Sequence, residues 1–171
     1  MEEIILVNLD DEIVGHCEKL ETHRRGLLHR AFSIFIFNDE GEILIQKRNV
    51  KKYHSGGLWT NDCCSHQRKN ENLSEAVHRR LQEELGFECE LRESFSFVYR
   101  TVFDDMLVEY ELDHVYTGRY NGKVSLNENE ASEYRWISLD ELKNKLLIAP
   151  QDFTVWFLTA APRVIKGLEG I

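Results

Sequence analysis

The run Arg30-Ala31-Phe32-Ser33-Ile34-Phe35-Ile36-Phe37 is dense in aromatic and β-branched side chains, which pack well on a pleated surface and lose rotamer freedom in a helix. Four turn formers follow, Asn38-Asp39-Glu40-Gly41, and Glu42-Ile43-Leu44-Ile45-Gln46-Lys47 resumes the strand pattern. A hairpin over 30–47 is expected. It commits the chain to a core built on a sheet, and every other element has to be read as a partner of that sheet.

A second, smaller hairpin is expected at the N-terminus, where Ile4-Ile5-Leu6-Val7 and Ile13-Val14 flank Asn8-Leu9-Asp10-Asp11. Beyond Gly56-Gly57, Leu58 to Ser65 reads as extended. The polar stretch Gln67 to Asn72 then leads into a helix in which Leu73, Ala76, Val77, Leu81 and Leu85 recur at helical spacing and Gly86 supplies the stop. Ser94 to Thr101 and Leu107 to Tyr116 read as strands around a turn at Asp104-Asp105, and Tyr134 to Ile137 as a last strand. Ser138 is the expected N-cap of a helix from Leu139 to Lys145, and Asp152 the expected cap of a terminal helix through Trp156 and Leu158. The sum is a mixed α/β (α+β) domain in which strands outnumber helices.

With 171 residues and no repeat or linker, one domain over residues 1–171 is expected. Apolar stretches such as Phe35-Ile36-Phe37 and Val155-Trp156-Phe157-Leu158 fall far short of the roughly 20 residues that cross a bilayer. The acidic start Met1-Glu2-Glu3-Ile4 lacks the basic region of a secretory signal. A cytoplasmic protein is expected. Its four cysteines, two of them adjacent, suit free thiols rather than a disulfide framework. A net charge of −9 and a pI near 5.3 argue against nucleic-acid or anionic-membrane partners. An anionic small molecule would then need local neutralisation by metal ions or clustered Lys and Arg.

Side chains alternate across a strand, so Asp62, Cys64 and His66 are expected on one face and Cys63 and Ser65 on the other. The same alternation pairs Glu109 with Glu111, opposite Val108, Tyr110 and Leu112. Two carboxylates side by side are either a solvated strand face or a cation site, and the residues alone favour the former. His23 and His29 are six apart, a spacing that suits neither one helix face nor a zinc finger. On the helix, Arg79 and Arg80 precede Glu83 and Glu84 by four residues. That is surface salt bridging, or a cation for phosphate beside a carboxylate for magnesium. Lys19, Arg48, Lys51 and Lys52 lie where loops and strands could present them to the same pocket.

Glu71, Arg79, Leu81, Glu83, Glu84, Gly86 and Phe87 resemble the Nudix signature. Ser65 replaces its first glycine and Arg80 the glutamate after its arginine, departures similar to those of type 1 isopentenyl diphosphate isomerases. The segments Gly26-Leu27-Leu28-His29-Arg30-Ala31-Phe32-Ser33, Trp59-Thr60-Asn61 with Cys64 and His66, and Glu109-Tyr110-Glu111 resemble that isomerase family from about Lys19 to Trp156. Many members have an aromatic residue and a proline at Ser55-Gly56 and a proline at Gln67, so the loops around the diphosphate differ.

The resemblance implies a single Nudix-like domain, a mixed sheet sandwiched between helices, with the C-terminal helix packing over the active site. It implies a divalent metal (Mn2+, Zn2+ or Mg2+) held by His23, His29, His66, Glu109 and Glu111, and catalysis by Cys64 and Glu111. It also implies Mg2+ brought by the diphosphate to Glu84, and substrate contacts from Lys19, Arg48, Lys52 and Arg80. The partner would be a small-molecule diphosphate, the enzyme a monomer or weak homodimer.

Moving a double bond in isopentenyl diphosphate needs an acid, a base and a dry pocket. Glu111 beside a metal suits the acid and Cys64 the base; the reverse assignment and assistance from Tyr99 both stay open. Trp156 is the candidate aromatic face for the carbocation, or else a core anchor of the last helix. A Nudix hydrolase of a nucleoside or other diphosphate is the competing reading, with a non-catalytic binding domain behind it.

Overall fold

Helix and strand patterning resolves, in a computed structural model that describes residues 2–103 and 106–169, into nine strands and four α-helices. In chain order they are β1 (Glu3–Val7), β2 (Ile13–Glu18), α1 (Lys19–Arg25), β3 (His29–Phe37), β4 (Glu42–Arg48), β5 (Trp59–Thr60), β6 (Cys63–His66) and α2 (Leu73–Leu85). Then follow β7 (Leu91–Val102), β8 (Val108–Arg119), β9 (Ala131–Ser138), α3 (Leu139–Ile148) and α4 (Val155–Glu169). The expected turn at Asp104-Asp105 lies outside the described residues. No helix among those residues is long and apolar enough to cross a membrane.

β3 is the spine. It pairs antiparallel with β6, placing Ser33 opposite Cys64, and parallel with β8, placing His29 opposite Glu111. Its alternation serves two cores. Phe32, Ile34 and Ile36 pack with Leu44 and Cys63 under Val77, Leu81 and Leu85 of α2. Phe35 and Phe37 pack with Ile43, Ile45 and Ile137 under Trp156, Phe157 and Val164 of α4. The mixed sheet is therefore covered by helices on both faces, as expected.

The strands β3 and β4 meet only at Phe37↔Ile43, which corrects the simple hairpin read from the sequence. Beyond that pair they diverge: β4 pairs along its length with β9 and at its end with β5, while β3 takes β6 and β8. β3 is buried along almost its whole length and β4 over Ile43 to Gln46, so each presents both faces of its central part to the two cores and is satisfied best by partners of its own.

α2 matches its sequence boundaries because both ends are chemically specified. Asn72 Oδ1 accepts from Glu75 N at 2.8 Å and the Glu75 carboxylate reaches back, a capping box, while Gly86 takes φ 70° at the C-cap. Three further expectations fail. The extended run Leu58 to Ser65 is broken at Asn61-Asp62, where Asp62 Oδ2 turns away to accept from Ile36 N at 2.6 Å and so leaves the face of Cys64 and His66. Asp152 does not cap the last helix but ends a 3-10 turn, Pro150–Asp152, ahead of an α4 that runs to Glu169. The helix α1 is absent from the sequence reading.

Candidate active site and metal centre

The short helix α1 brings the two spaced histidines together. The Glu18 carboxylate caps its start, and Gly26 ends it at φ 61°, where a Cβ would lie 3.2 Å from the Val108 side chain. The chain then turns back so that His29 opens β3. His23 and His29 rings come within 4.9 Å, and His66 from β6 lies 5.4 and 4.9 Å from them.

Against these imidazoles stand two buried carboxylates of β8. Glu109 and Glu111 are 2% and 7% exposed, so the solvated-face reading of that strand is wrong: the register against β3 turns both inward. One ligating atom from each of His23, His29, His66, Glu109 and Glu111 lies within 4.8 Å of all the others. The Glu109 carboxyl, which burial alone would raise, is held well below the ordinary range by His23 and His54.

This donor set fits a divalent metal. His23 Nδ1 is engaged by Lys19 O at 2.6 Å and His29 Nδ1 by Leu27 O at 2.8 Å, which leaves each Nε2 bare and directed at the carboxylates. Both Nε2 atoms are buried and without a hydrogen-bond partner. An orphaned buried nitrogen costs about 1–3 kcal/mol, and a backbone carbonyl on the other ring nitrogen is the usual support of a ligating histidine. Burial pushes His66 down to about 4, so at neutral pH it is the uncharged imidazole that ligation requires.

A cavity of about 270 Å³ opens beside this centre, and Cys64, Tyr99, Glu111 and Trp156 all line it. Tyr99 donates to Glu111 Oε2 at 2.6 Å. The Cys64 thiol lies 3.0 Å from Asn61 Oδ1 and 3.4 Å from the Ser33 hydroxyl, which donates to Asp113 Oδ2 at 2.7 Å. Burial, with the nearby Asp113 charge, pushes that thiol well above its usual range. Cys63 faces the other way, into the core under α2, and donates to Glu84 Oε1 at 3.3 Å.

Cations line the same cavity. Arg80 bonds Glu84 Oε1 at 2.5 Å and lies 3.2 Å from Glu130. Lys52 pairs with Glu130, and Lys19 lies 3.9 Å from Glu2. The Arg48 guanidinium sits 5.1 Å from the Trp156 ring centre. Glu84 also accepts from Gln46 Nε2 at 3.1 Å, and Gln46 Oε1 is buried without a partner, so an amide oxygen and a carboxylate stand ready for a hard cation. Lys51, by contrast, is exposed and does not line this cavity.

All the other expected site residues thus gather at one place. The sequence reading missed Gln46, His54 and Glu130. Gln46 had a signal, a polar residue on the face that Leu44 gives to the core under α2. His54 had none, since it sits in a loop of lysines, tyrosine and glycines. In the structure its Nε2 lies 2.6 Å from Glu109 Oε1 without an aligned hydrogen bond, and its ring stacks on Phe103 at 4.4 Å.

The NUDIX domain pattern matches residues 27–157. Isopentenyl-diphosphate Delta-isomerase 2 of Aromatoleum aromaticum is 46% identical over 171 residues, covering 99% of this chain and 90% of the relative. The Isopentenyl-diphosphate Delta-isomerase of Burkholderia multivorans is 49% identical over 91% of this chain and 89% of its own. In fold, a protein of Deinococcus radiodurans superposes with a TM-score of 0.71 at 23% identity, covering 86% of this chain and 90% of that one. A MutT protein from Methanosarcina mazei gives 0.64 at 21%, covering 80% and 91%. The buried His/Glu centre, the thiol facing the cavity beside it and these near full-length identities agree: the chain belongs to the NUDIX domain family, among its isopentenyl-diphosphate Delta-isomerases.

Proposed function

We propose that this chain interconverts isopentenyl and dimethylallyl diphosphate by adding a proton at the terminal alkene carbon and removing one from the methylene carbon adjacent to the substituted alkene carbon, so that the double bond moves one position along the chain. One observation carries the reading. A thiol on β6 and a carboxylate on β8, strands that flank β3, line one cavity whose wall also bears Lys and Arg. Hydrolysis of a diphosphate would have no use for Cys64.

The chemistry divides between the two sides. Glu111, with the Tyr99 phenol on its Oε2, exchanges one proton with the substrate, and Cys64 exchanges the other. A divalent ion held by His23, His29, His66, Glu109 and Glu111 would supply positive charge that favours the Glu111 carboxylate; Mn2+, Zn2+ and Mg2+ all suit this mixed nitrogen and oxygen set. Magnesium arriving with the diphosphate would find Glu84 and Gln46, and Lys19, Arg48, Lys52 and Arg80 neutralise the remaining charge. Trp156, 3% exposed, both anchors α4 in the core and presents its ring to the cavity, where an aromatic face lowers the energy of a tertiary cation. The two cores share one sheet, which supports a single unit over 1–171 with α4 closing the cavity.

Purified protein incubated with isopentenyl diphosphate and magnesium, followed by proton NMR, tests the reading. The dimethylallyl signals should grow to an equilibrium mixture. Release of phosphate without them would favour the hydrolase, and neither product in a metal-reconstituted sample would end the proposal.

A further inference from the structure

Thr60 and Asn61 open the segment that carries Cys64, and the chemistry above gives them no task. Both are buried, at 1% and 0% exposure, beside a cavity that Thr60 itself lines. The donors and acceptors around them fix one direction. The Asn61 amide nitrogen donates to Ile34 O at 3.1 Å and to Cys63 O at 2.8 Å, so Oδ1 has to face the other way. There it accepts from the Thr60 hydroxyl at 3.0 Å and from the Cys64 thiol at 3.0 Å.

Thr60 is equally committed. Its proton goes to Asn61, and its oxygen accepts from the Trp156 indole N–H at 3.0 Å, a group that can only donate. Thr154 Oγ1, 2.9 Å away, takes the remaining lone pair. The Thr60 and Asn61 groups are thus committed, while on the far side of the sulfur the Ser33 hydroxyl, which donates to Asp113, is the thiol's one other acceptor among the described residues.

We propose that Thr60 and Asn61 are positioning residues: the one-way chain from Trp156 through Thr60 to Asn61, joined there by Cys64, holds the sulfur and the indole ring in fixed register at the cavity wall. The proton-transferring atom and the aromatic surface that faces the developing cation are thereby set by a single buried network. A shift of about 1 Å in such a group costs on the order of 100-fold in rate, while diphosphate binding, made by other residues, is left intact. The inference rests on the isomerase reading.

Thr60→Val keeps the shape of the side chain and removes its hydroxyl. The kcat for isopentenyl diphosphate should fall roughly 10- to 100-fold, with KM within about twofold of the parent. The Trp156 indole N–H resonance in a nitrogen-15 spectrum should move upfield, as for a donor that has lost its acceptor. Thr60→Ser should bring back both the rate, to within about threefold, and the resonance. If Thr60→Val does not fold, Thr60→Ala, which introduces no steric conflict, replaces it. A kcat loss below about threefold, a loss carried by KM, or failure of serine to rescue overturns the proposal. An inactive parent enzyme would overturn the isomerase reading instead, and the indole resonance would still decide whether the chain exists.

Discussion

Cys63 and Cys64 adjoin in the chain and serve opposite sides of the sheet: one thiol lies under α2, 3.3 Å from Glu84 Oε1, and the other lines the cavity. Cys64→Ala should abolish turnover. Cys63→Ala should cost about 1 kcal/mol of stability for the small core void it leaves, with kcat within about threefold. Steady-state assays and urea melts of the two variants check this; equal loss of activity from both would undo the strand-face assignment.

The Tyr99 to Glu111 hydrogen bond joins the carboxylate proposed to transfer a proton to the phenol proposed to support it. Glu111→Gln should lower kcat roughly 10²- to 10⁴-fold, the usual worth of a general acid or base. Tyr99→Phe removes one hydrogen bond and should cost about 10-fold, corresponding to roughly 1.4 kcal/mol. Loss from Tyr99→Phe as large as from Glu111→Gln would mean that the phenol itself moves the proton.

Because His23 and His29 each keep a buried bare nitrogen, metal should stabilise the fold as well as serve the reaction. At a hundredfold excess over Kd, binding adds about 2.7 kcal/mol, equivalent to roughly 5–10 °C in Tm for a domain of this size. Calorimetry with and without chelator should show that shift, and His29→Gln should abolish it. An unchanged Tm on chelation would count against the centre.

Away from the site, burial raises the Glu71 carboxyl, but the Arg79 bonds at 2.6 and 3.0 Å, the Arg68 backbone N–H and the charges of both arginines together outweigh it, leaving its folded pKa below the reference 4.5. Its contribution is therefore fully present above that reference and is lost as pH falls through the depressed folded value. Glu71→Gln should cost about 1 kcal/mol at pH 7 and flatten the acid limb of the stability curve. Denaturant melts between neutral and acid pH measure both; identical slopes for parent and variant would refute the pairing.

What could be read from the chain was what local chemistry specifies. α2 has an amphipathic period, an Asn cap and a terminal glycine, so its boundaries were legible. α1 has seven residues, four of them charged, and no apolar period; only Gly26 marked its end. The partners of β3 were illegible because its pairing with β8 joins residues about 80 positions apart, and no local signal reports such a choice. The same pairing turned Glu109 and Glu111 from an unremarkable acidic strand into a buried centre. His54 escaped because its role depends wholly on where a loop lands.

The parallel register of His29 on Glu111 also sets an order of events. All three histidines of the cluster lie within the first 66 residues, whereas both carboxylates come more than 40 residues later. A chain still emerging from the ribosome can offer an ion nitrogen donors but no charge to balance it. A metal centre built from these five residues would thus be a late product of synthesis, complete only once β8 has paired with β3, and metal binding there would report that the long-range fold is in place.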